Sequence, residues 1–291
     1  MKPSNFEYYK PGSVQEAIEL LVKHGYEAKL LAGGQSLVPM MNFRVARPEV
    51  LVDLNGITEL AYIREEGDRI AIGALTRERD VEISPIVKEK CPLLAGAISN
   101  IGHVPIRCRG TIGGSLAHAD PSAEIPTATT ALGATFKVAG PDGVRELTAG
   151  ELFLTYLTTS LEPAEIIVEA RIPVMTPEMG WSFLELNRRH GDFAIVGVAT
   201  LLTMAADGTC KEARIAVGGV GPVPMRAEKA EALLAGKVLT DELIDQAGAL
   251  AAQEAEPDSD YHASADYRED LTRVYVCRGL RAALKQYKER N

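Results

Sequence analysis

Residues 29–41 constrain the fold most. Lys29, Leu30, Leu31 and Ala32 read as a short apolar strand, Gly33 and Gly34 follow, and after Gln35 and Ser36 a new apolar run begins. Two adjacent glycines carry no Cβ, so the backbone turns sharply and its N–H groups can come close to a ligand. Ser36 is placed to cap the next helical turn, and the start of a helix attracts anions. Gly110, Thr111, Ile112, Gly113, Gly114 and Ser115 repeat the design further along the chain. Two such loops suit a ligand with two phosphates.

The surrounding pattern predicts mixed α and β structure. Ser13 with Glu16 reads as a capping box, followed by a helix that Gly25 ends. With the strand at 29–32 and another at 50–54, the opening is a β-α-β unit. Strands at 61–64 and 69–75 flank a turn at Glu66, Gly67 and Asp68, and Thr76 is placed to cap a short helix. A helix opens at Pro92, another covers 126–132, and extended segments at 135–138 and 165–172 follow. Pro173 and Pro177 mark the best boundary. Beyond it, three strands (182–188, 193–204, 213–220) precede helices at 226–235, 240–255 and 266–288. The fold class read here is α+β, in three units: 1–57, 58–176 and 177–291.

The formal net charge is −9, which argues against nucleic-acid or anionic-membrane partners. No apolar run reaches the roughly 20 residues of a membrane helix, and no apolar signal region opens the chain, so a cytoplasmic location is expected. Cys91, Cys108, Cys210 and Cys277 are widely spaced, which predicts no zinc or iron–sulfur site. No G-x-G-x-x-G fingerprint and no Lys-Ser or Lys-Thr after a glycine pair occurs, disfavouring Rossmann and P-loop sites. His118 and Asp120 follow the second loop; the simpler role for Asp120 is to fix the turn before Pro121. His103, His190 and His262 have no carboxylate or nucleophile at a telling spacing. A chain without an evident catalytic acid or nucleophile fits chemistry carried by a cofactor.

Residues 32–36 and 111–115, followed by Asp120-Pro121-Ser122-Ala123-Glu124-Ile125-Pro126, resemble the FAD-binding medium subunits of molybdenum hydroxylases. These include the medium subunit of carbon-monoxide dehydrogenase and the flavin domain of xanthine dehydrogenase. The likeness extends to 6–8, Asp53-Leu54, 72–76, 191–194 and the helical C-terminus. It implies two subdomains clasping non-covalent FAD and a C-terminal domain with a three-stranded antiparallel sheet and helices. Lys29 to Ser36 and Gly110 to Ser115 would wrap the diphosphate and ribityl chain. Ile101 would line the cofactor, Glu124 would meet the ribityl hydroxyls, Leu161 and Ile167 would lie against the flavin, and Phe193 would stand near its ring. Ser115 replaces a common Asn, and Glu185 lies near a position often basic in relatives, which implies a lower reduction potential.

The resemblance also implies partners: a small [2Fe–2S] subunit and a large molybdenum-cofactor subunit, assembled as a dimer of heterotrimers. The chain would then be an electron-transfer oxidoreductase subunit, unable alone to hydroxylate a substrate. The alternatives are a free-standing flavin oxidase of a related FAD-binding fold and a flavin-less interaction subunit.

Overall fold

The computed structural model describes residues 2–290. The first unit is a parallel sheet of β1 (Glu7–Tyr9), β2 (Ala28–Leu31) and β3 (Val50–Asp53), with β3 in the centre. All four residues of β3 are buried, as a central parallel strand requires. Helix α1 (Val14–His24) connects β1 to β2. The Ser13 hydroxyl accepts the Glu16 N–H at its start, and Gly25 ends it at φ 54°. The Glu16 carboxylate receives the Gly12 N–H, one residue earlier than a full capping box would have it. Helix α2 (Leu37–Asn42) follows the first glycine pair.

The second unit is built on an antiparallel sheet ordered β4-β5-β10-β6-β7. Its strands are β4 (Ile63–Glu66), β5 (Arg69–Gly73), β6 (Thr135–Gly140), β7 (Gly143–Thr148) and β10 (Ile166–Pro173). A small ribbon, β8 (Phe153–Thr155) with β9 (Thr158–Thr159), lies between β7 and β10 in the chain. Between β5 and β6 come α3 (Glu78–Ile83), α4 (Pro85–Lys90), α5 (Pro92–Ile98), α6 (Val104–Arg107), α7 (Ile112–His118) and α8 (Glu124–Leu132). Helix α9 (Ala149–Leu152) carries a complete capping box from Thr148 and Glu151. Ile70, Ile72, Leu94, Ile98, Ile112, Leu116, Ile125 and Phe136 join these elements in one core.

The third unit has the three expected antiparallel strands, β11 (Met179–Leu186), β12 (Val196–Met204) and β13 (Cys210–Gly218). A two-residue β14 (Met225–Arg226) adds an edge strand too short to leave a periodic signal. Helices α10 (Glu228–Leu234), α11 (Asp241–Glu254) and α12 (Ala265–Arg290) complete it. Helix α12 approaches the sheet closely at Gly279, where a Cβ would come 2.6 Å from the Thr200 hydroxyl. Helix α8 touches β12 and β13, and so joins the second unit to the third.

Two helix starts differ from the sequence expectation. Thr76 does not cap α3: its hydroxyl donates to the Tyr62 carbonyl (2.8 Å) and accepts the Tyr62 N–H (3.0 Å). Ser36 sits at the start of α2 without a capping bond. Its backbone is already helical (φ −99°, ψ −49°), whereas a capping side chain reaches the N2 or N3 amide from an extended residue. Among the described residues, no helix is long and apolar enough to cross a membrane.

Candidate functional site

The two glycine loops, one following β2 and the other between α6 and α7, meet. The first leaves the C-terminal end of β2. The second precedes α7 and is held from below by segment 74–78: the Gly113 N–H donates to the Ala74 carbonyl (2.8 Å) and the Ile112 N–H to Thr76 (3.2 Å). The Glu78 N–H in turn donates to the Gly110 carbonyl (3.0 Å). A Cβ at Gly33 would lie 2.8 Å from the Gly110 Cα and closer still to the Arg109 carbonyl oxygen. A Cβ at Gly113 would lie 2.6 Å from the Ala74 Cβ and 2.9 Å from its carbonyl oxygen. Both positions therefore exclude any side chain, and in both the obstacle includes backbone.

The loops offer donors. Gly34 turns the chain at φ 72°, and the Gln35 amide closes the turn on the Gly33 carbonyl at 3.1 Å. Among the described residues, the N–H groups of Gly34, Gln35 and Ser36 find no protein acceptor. Orphan backbone donors at a surface are satisfied by water or by a ligand. In the second loop the Thr111 hydroxyl, buried, accepts the Gly114 N–H at 3.1 Å and caps α7. The N–H groups of 110 and 112–115 all donate within the protein, so the free amides of this glycine-walled seam lie on the first loop, where they fit a phosphate.

Three buried or half-buried carboxyls follow, the first of them against the second loop. Glu78, only 6% exposed, lies under the second loop: a Cβ at Gly110 would fall 2.5 Å from its Cδ and Oε1. Its Oε2 is buried without a hydrogen-bond partner, and burial pushes its pKa up to about 8 against the opposing charge of Arg107. Glu124, 7% exposed in the first turn of α8, is also pushed up to about 8, by burial and then by the charges of Glu185, Glu78 and Asp120. Glu185, at the end of β11, is raised to about 7 by burial, with the Asn187 amide opposing. Near neutral pH, Glu78 and Glu124 are largely uncharged acids, each with a proton to donate.

The remaining residues scatter more widely. Lys29 is exposed on β2; Leu30, Leu31 and Ala32 are half-buried beside it. Ile101 and Leu161 are half-buried against the main core, whereas Ile167 is inside that core. Phe193 is 60% exposed in the connection from β11 to β12. That connection rests on the segment after Ile101, since a Cβ at Gly191 would come 2.8 Å from the His103 ring and 3.0 Å from the Gly102 carbonyl oxygen. The His103 and His190 rings meet edge to face at 6.3 Å. Asp120 fixes its turn by accepting the Ser122 N–H at 2.9 Å. Cys91 and Cys210 are buried thiols, pushed up to about 12 and about 11 by burial, and Cys108 is exposed.

Sequence reasoning missed Glu78, Asn55 and Arg77. Arg77 donates to the Arg109 carbonyl and to the Asn55 side chain, both at 2.6 Å, and Asn55 donates to the Ala32 carbonyl at 2.8 Å. The available signal was the position of Asn55 just past β3, whose last residue, Asp53, pairs with Leu31 at the end of β2, beside the loop.

The α+β architecture is that of an FAD-binding domain followed by a flavoprotein C-terminal domain. Two family models cover the chain. The FAD binding domain in molybdopterin dehydrogenase matches residues 4–175, and the CO dehydrogenase flavoprotein C-terminal domain matches 181–283. The chain belongs to this family of FAD-binding medium subunits of molybdenum hydroxylases.

Among its relatives is the 6-hydroxypseudooxynicotine dehydrogenase complex subunit alpha of Paenarthrobacter nicotinovorans, 43% identical over 98% of this chain and 96% of that protein. The carbon monoxide dehydrogenase medium chain of Hydrogenophaga pseudoflava is 42% identical over 97% and 98%. A solved structure of carbon monoxide dehydrogenase from Hydrogenophaga pseudoflava, lacking the Mo-pyranopterin moiety of the molybdenum cofactor, superposes with a TM-score of 0.96. It is 44% identical and covers 98% of this chain and 99% of that one.

Proposed function

We propose that this chain is the electron-relay subunit of a molybdenum hydroxylase, holding FAD between its two glycine loops. The observation that carries the reading is the contact of Gly33 with the Arg109–Gly110 backbone, beside the free amides of Gly34, Gln35 and Ser36. Bound there, FAD would supply the exchange of electrons between a [2Fe–2S] partner and an external acceptor.

The chain's own residues bind and orient. The amides of 34–36 would hold the diphosphate by hydrogen bonds, and the loop 110–115, whose N–H groups at 110 and 112–115 already donate within the protein, by the close approach that its glycines permit. Ser115 offers a short hydroxyl on the first turn of α7. Glu124, kept largely protonated by burial, presents an O–H to the ribityl hydroxyls as well as acceptor oxygens. Ile101 and Leu161 contribute apolar wall. Phe193, exposed on a connection braced by His103 and Gly102, is free to cover the ring. Lys29 at the exposed edge of β2 offers a cation to the dinucleotide. Ile167 acts from inside the core, supporting the wall. Glu185 withholds positive charge from the site and so favours the oxidised, less negative flavin.

The units proposed are 1–57 and 58–176, which clasp the cofactor, and 177–291, which braces them through α8 and the Phe193 connection. A small [2Fe–2S] subunit and a large molybdenum subunit would complete the assembly as a dimer of heterotrimers in the cytoplasm. The large subunit would choose the substrate.

The test is reconstitution followed by stopped-flow. Organic substrate should bleach the flavin only when both partners are present. Rapid bleaching in the isolated chain would refute the relay and favour a free-standing oxidase. Acid precipitation should release the flavin; colour retained in the pellet would refute non-covalent binding.

A further inference from the structure

The first loop leaves a strand of the first sheet and the second lies between α6 and α7, and among the described residues no backbone hydrogen bond joins 29–36 to 110–115. Apart from the van der Waals contact of Gly33 with the Arg109–Gly110 backbone, the two are tied together by side chains. Nη1 of Arg77 donates to the carbonyl of Arg109, the residue that opens the second loop, at 2.6 Å. Nη2 of the same guanidinium donates to Oδ1 of Asn55 at 2.6 Å. Nδ2 of Asn55 donates to the carbonyl of Ala32, at the entry to the first loop, at 2.8 Å, and to Oδ1 of Asp53 at 2.5 Å. Asp53 also accepts the Asn55 N–H at 3.0 Å and the Tyr8 hydroxyl at 2.5 Å. One planar fork and one amide thus run from loop to loop, and the far end is anchored on two strands of the first sheet.

The near end is anchored as well. The backbone of Arg77 pairs with Thr111, and its neighbours Ala74, Thr76 and Glu78 carry the hydrogen bonds that shape 110–113. Arg77 is therefore fixed to the second loop by its main chain and reaches toward the first by its side chain. The fork matters: two divergent N–H groups engage two acceptors at once, which a lysine ammonium on a flexible stem does not reproduce.

We propose that Arg77, acting through Asn55, is the positioning residue that holds the two glycine loops at a fixed spacing, so that the chain selects a diphosphate-bridged dinucleotide over a mononucleotide. This rests on the loops being the diphosphate site. A ligand touching both loops gains from both only if their separation is already fixed, because ordering them on binding subtracts from affinity. A mononucleotide, with a single phosphate, engages less of the seam and depends less on that spacing.

The experiment is a fluorescence titration of the full chain, after removal of its flavin, with FAD and with FMN. Wild type, Arg77→Lys, Arg77→Ala and Asn55→Leu are compared, with melting temperature as the folding check. The wild type should prefer FAD. In Arg77→Ala and Asn55→Leu the FAD dissociation constant should rise roughly tenfold or more while that of FMN changes less than about twofold, as expected for losing charge-assisted hydrogen bonds that act only between the loops. Arg77→Lys should fall between wild type and Arg77→Ala.

Equal losses for FAD and FMN would show general loosening and overturn the proposal. Full rescue by Arg77→Lys would show that charge, not the fork, matters, and would overturn it too. If Gly113→Val keeps full FAD affinity, the loops are not the site and both this inference and the underlying reading fail. If Gly113→Val loses FAD but Arg77→Ala and Asn55→Leu do not, only the inference fails. Should Arg77→Ala not fold, Arg77→Lys and Asn55→Leu decide by the same ratio.

Discussion

Gly33→Ala is the smallest change that should disrupt the cofactor site. The new Cβ would meet the Arg109 carbonyl oxygen and, at 2.8 Å, the Gly110 Cα, while ordinary van der Waals contact begins near 3.4 Å. Both obstacles are backbone, so no side chain can swing aside, and the loops must part by several tenths of an ångström or more. Overpacking of this kind costs about 1–3 kcal/mol. If it appears in binding, FAD affinity falls roughly five- to a hundredfold, since about 1.4 kcal/mol is tenfold. The assay is quenching of flavin fluorescence on titration into the deflavinated chain, with calorimetry for stability. Gly67→Ala is the control: Gly67 has φ 64° but no atom within 4 Å of a Cβ, so it strains a remote turn and leaves FAD affinity alone. Wild-type affinity and wild-type melting temperature in Gly33→Ala would refute the reasoning that the two loops are in contact.

Glu78→Gln should stabilise the chain at alkaline pH. The folded-state pKa of Glu78 is raised from 4.5 to about 8, so the folded state holds the proton more tightly and stability declines as pH rises through that window. At about 1.36 kcal/mol per unit the penalty is at most about 5 kcal/mol. The melting-temperature gain of Glu78→Gln over wild type should therefore grow between pH 5 and pH 8; a constant difference would contradict the buried acid. Arg268→Met should destabilise the third unit by about 2–4 kcal/mol, because the guanidinium satisfies the carbonyls of Ile195 (2.5 Å) and Gly219 (2.8 Å) and pairs with Asp260. Chemical denaturation reads this, and a change below about 0.5 kcal/mol would show that water replaces it. Phe193→Ala should leave stability within about 0.5 kcal/mol, given its exposure, yet alter the flavin absorption envelope. An unchanged spectrum would remove Phe193 from the ring.

Local chemistry made the glycine loops legible. An apolar run, two residues without side chains and a hydroxyl leave few structural options, and 33–36 turn as expected, with Gly34 at φ 72°; Gly113 and Gly114 instead lie in the first turn of α7, which Thr111 caps. The resemblance of 120–126 added the Glu124 neighbourhood, where an acid in the first turn of α8 is buried among other acids. What sequence could not show is that Gly33 abuts Gly110, because residues so far apart in the chain meet only through the packing of two sheets. Arg77 and Asn55 were hidden for the same reason: each is an ordinary polar residue next to an ordinary strand end until the other is placed beside it. Thr76 matched a helix-capping pattern, yet its hydroxyl is taken by Tyr62 on the neighbouring strand side, a tertiary contact that overrides the local preference. Ile167 opens β10 beside Ile166, both of them buried, and nothing in that apolar pair distinguishes a flavin wall from the core behind it.

The central claim is that FAD lies across both glycine loops, and the crystal structure of the FAD-loaded chain tests it most directly. The account predicts diphosphate oxygens within hydrogen-bonding distance of backbone N–H groups of 34–36 and in van der Waals contact with the glycine backbone of 110–114, with the Arg77–Asn55 bridge intact behind them. A diphosphate bound by one loop alone, or elsewhere on the surface, would contradict it.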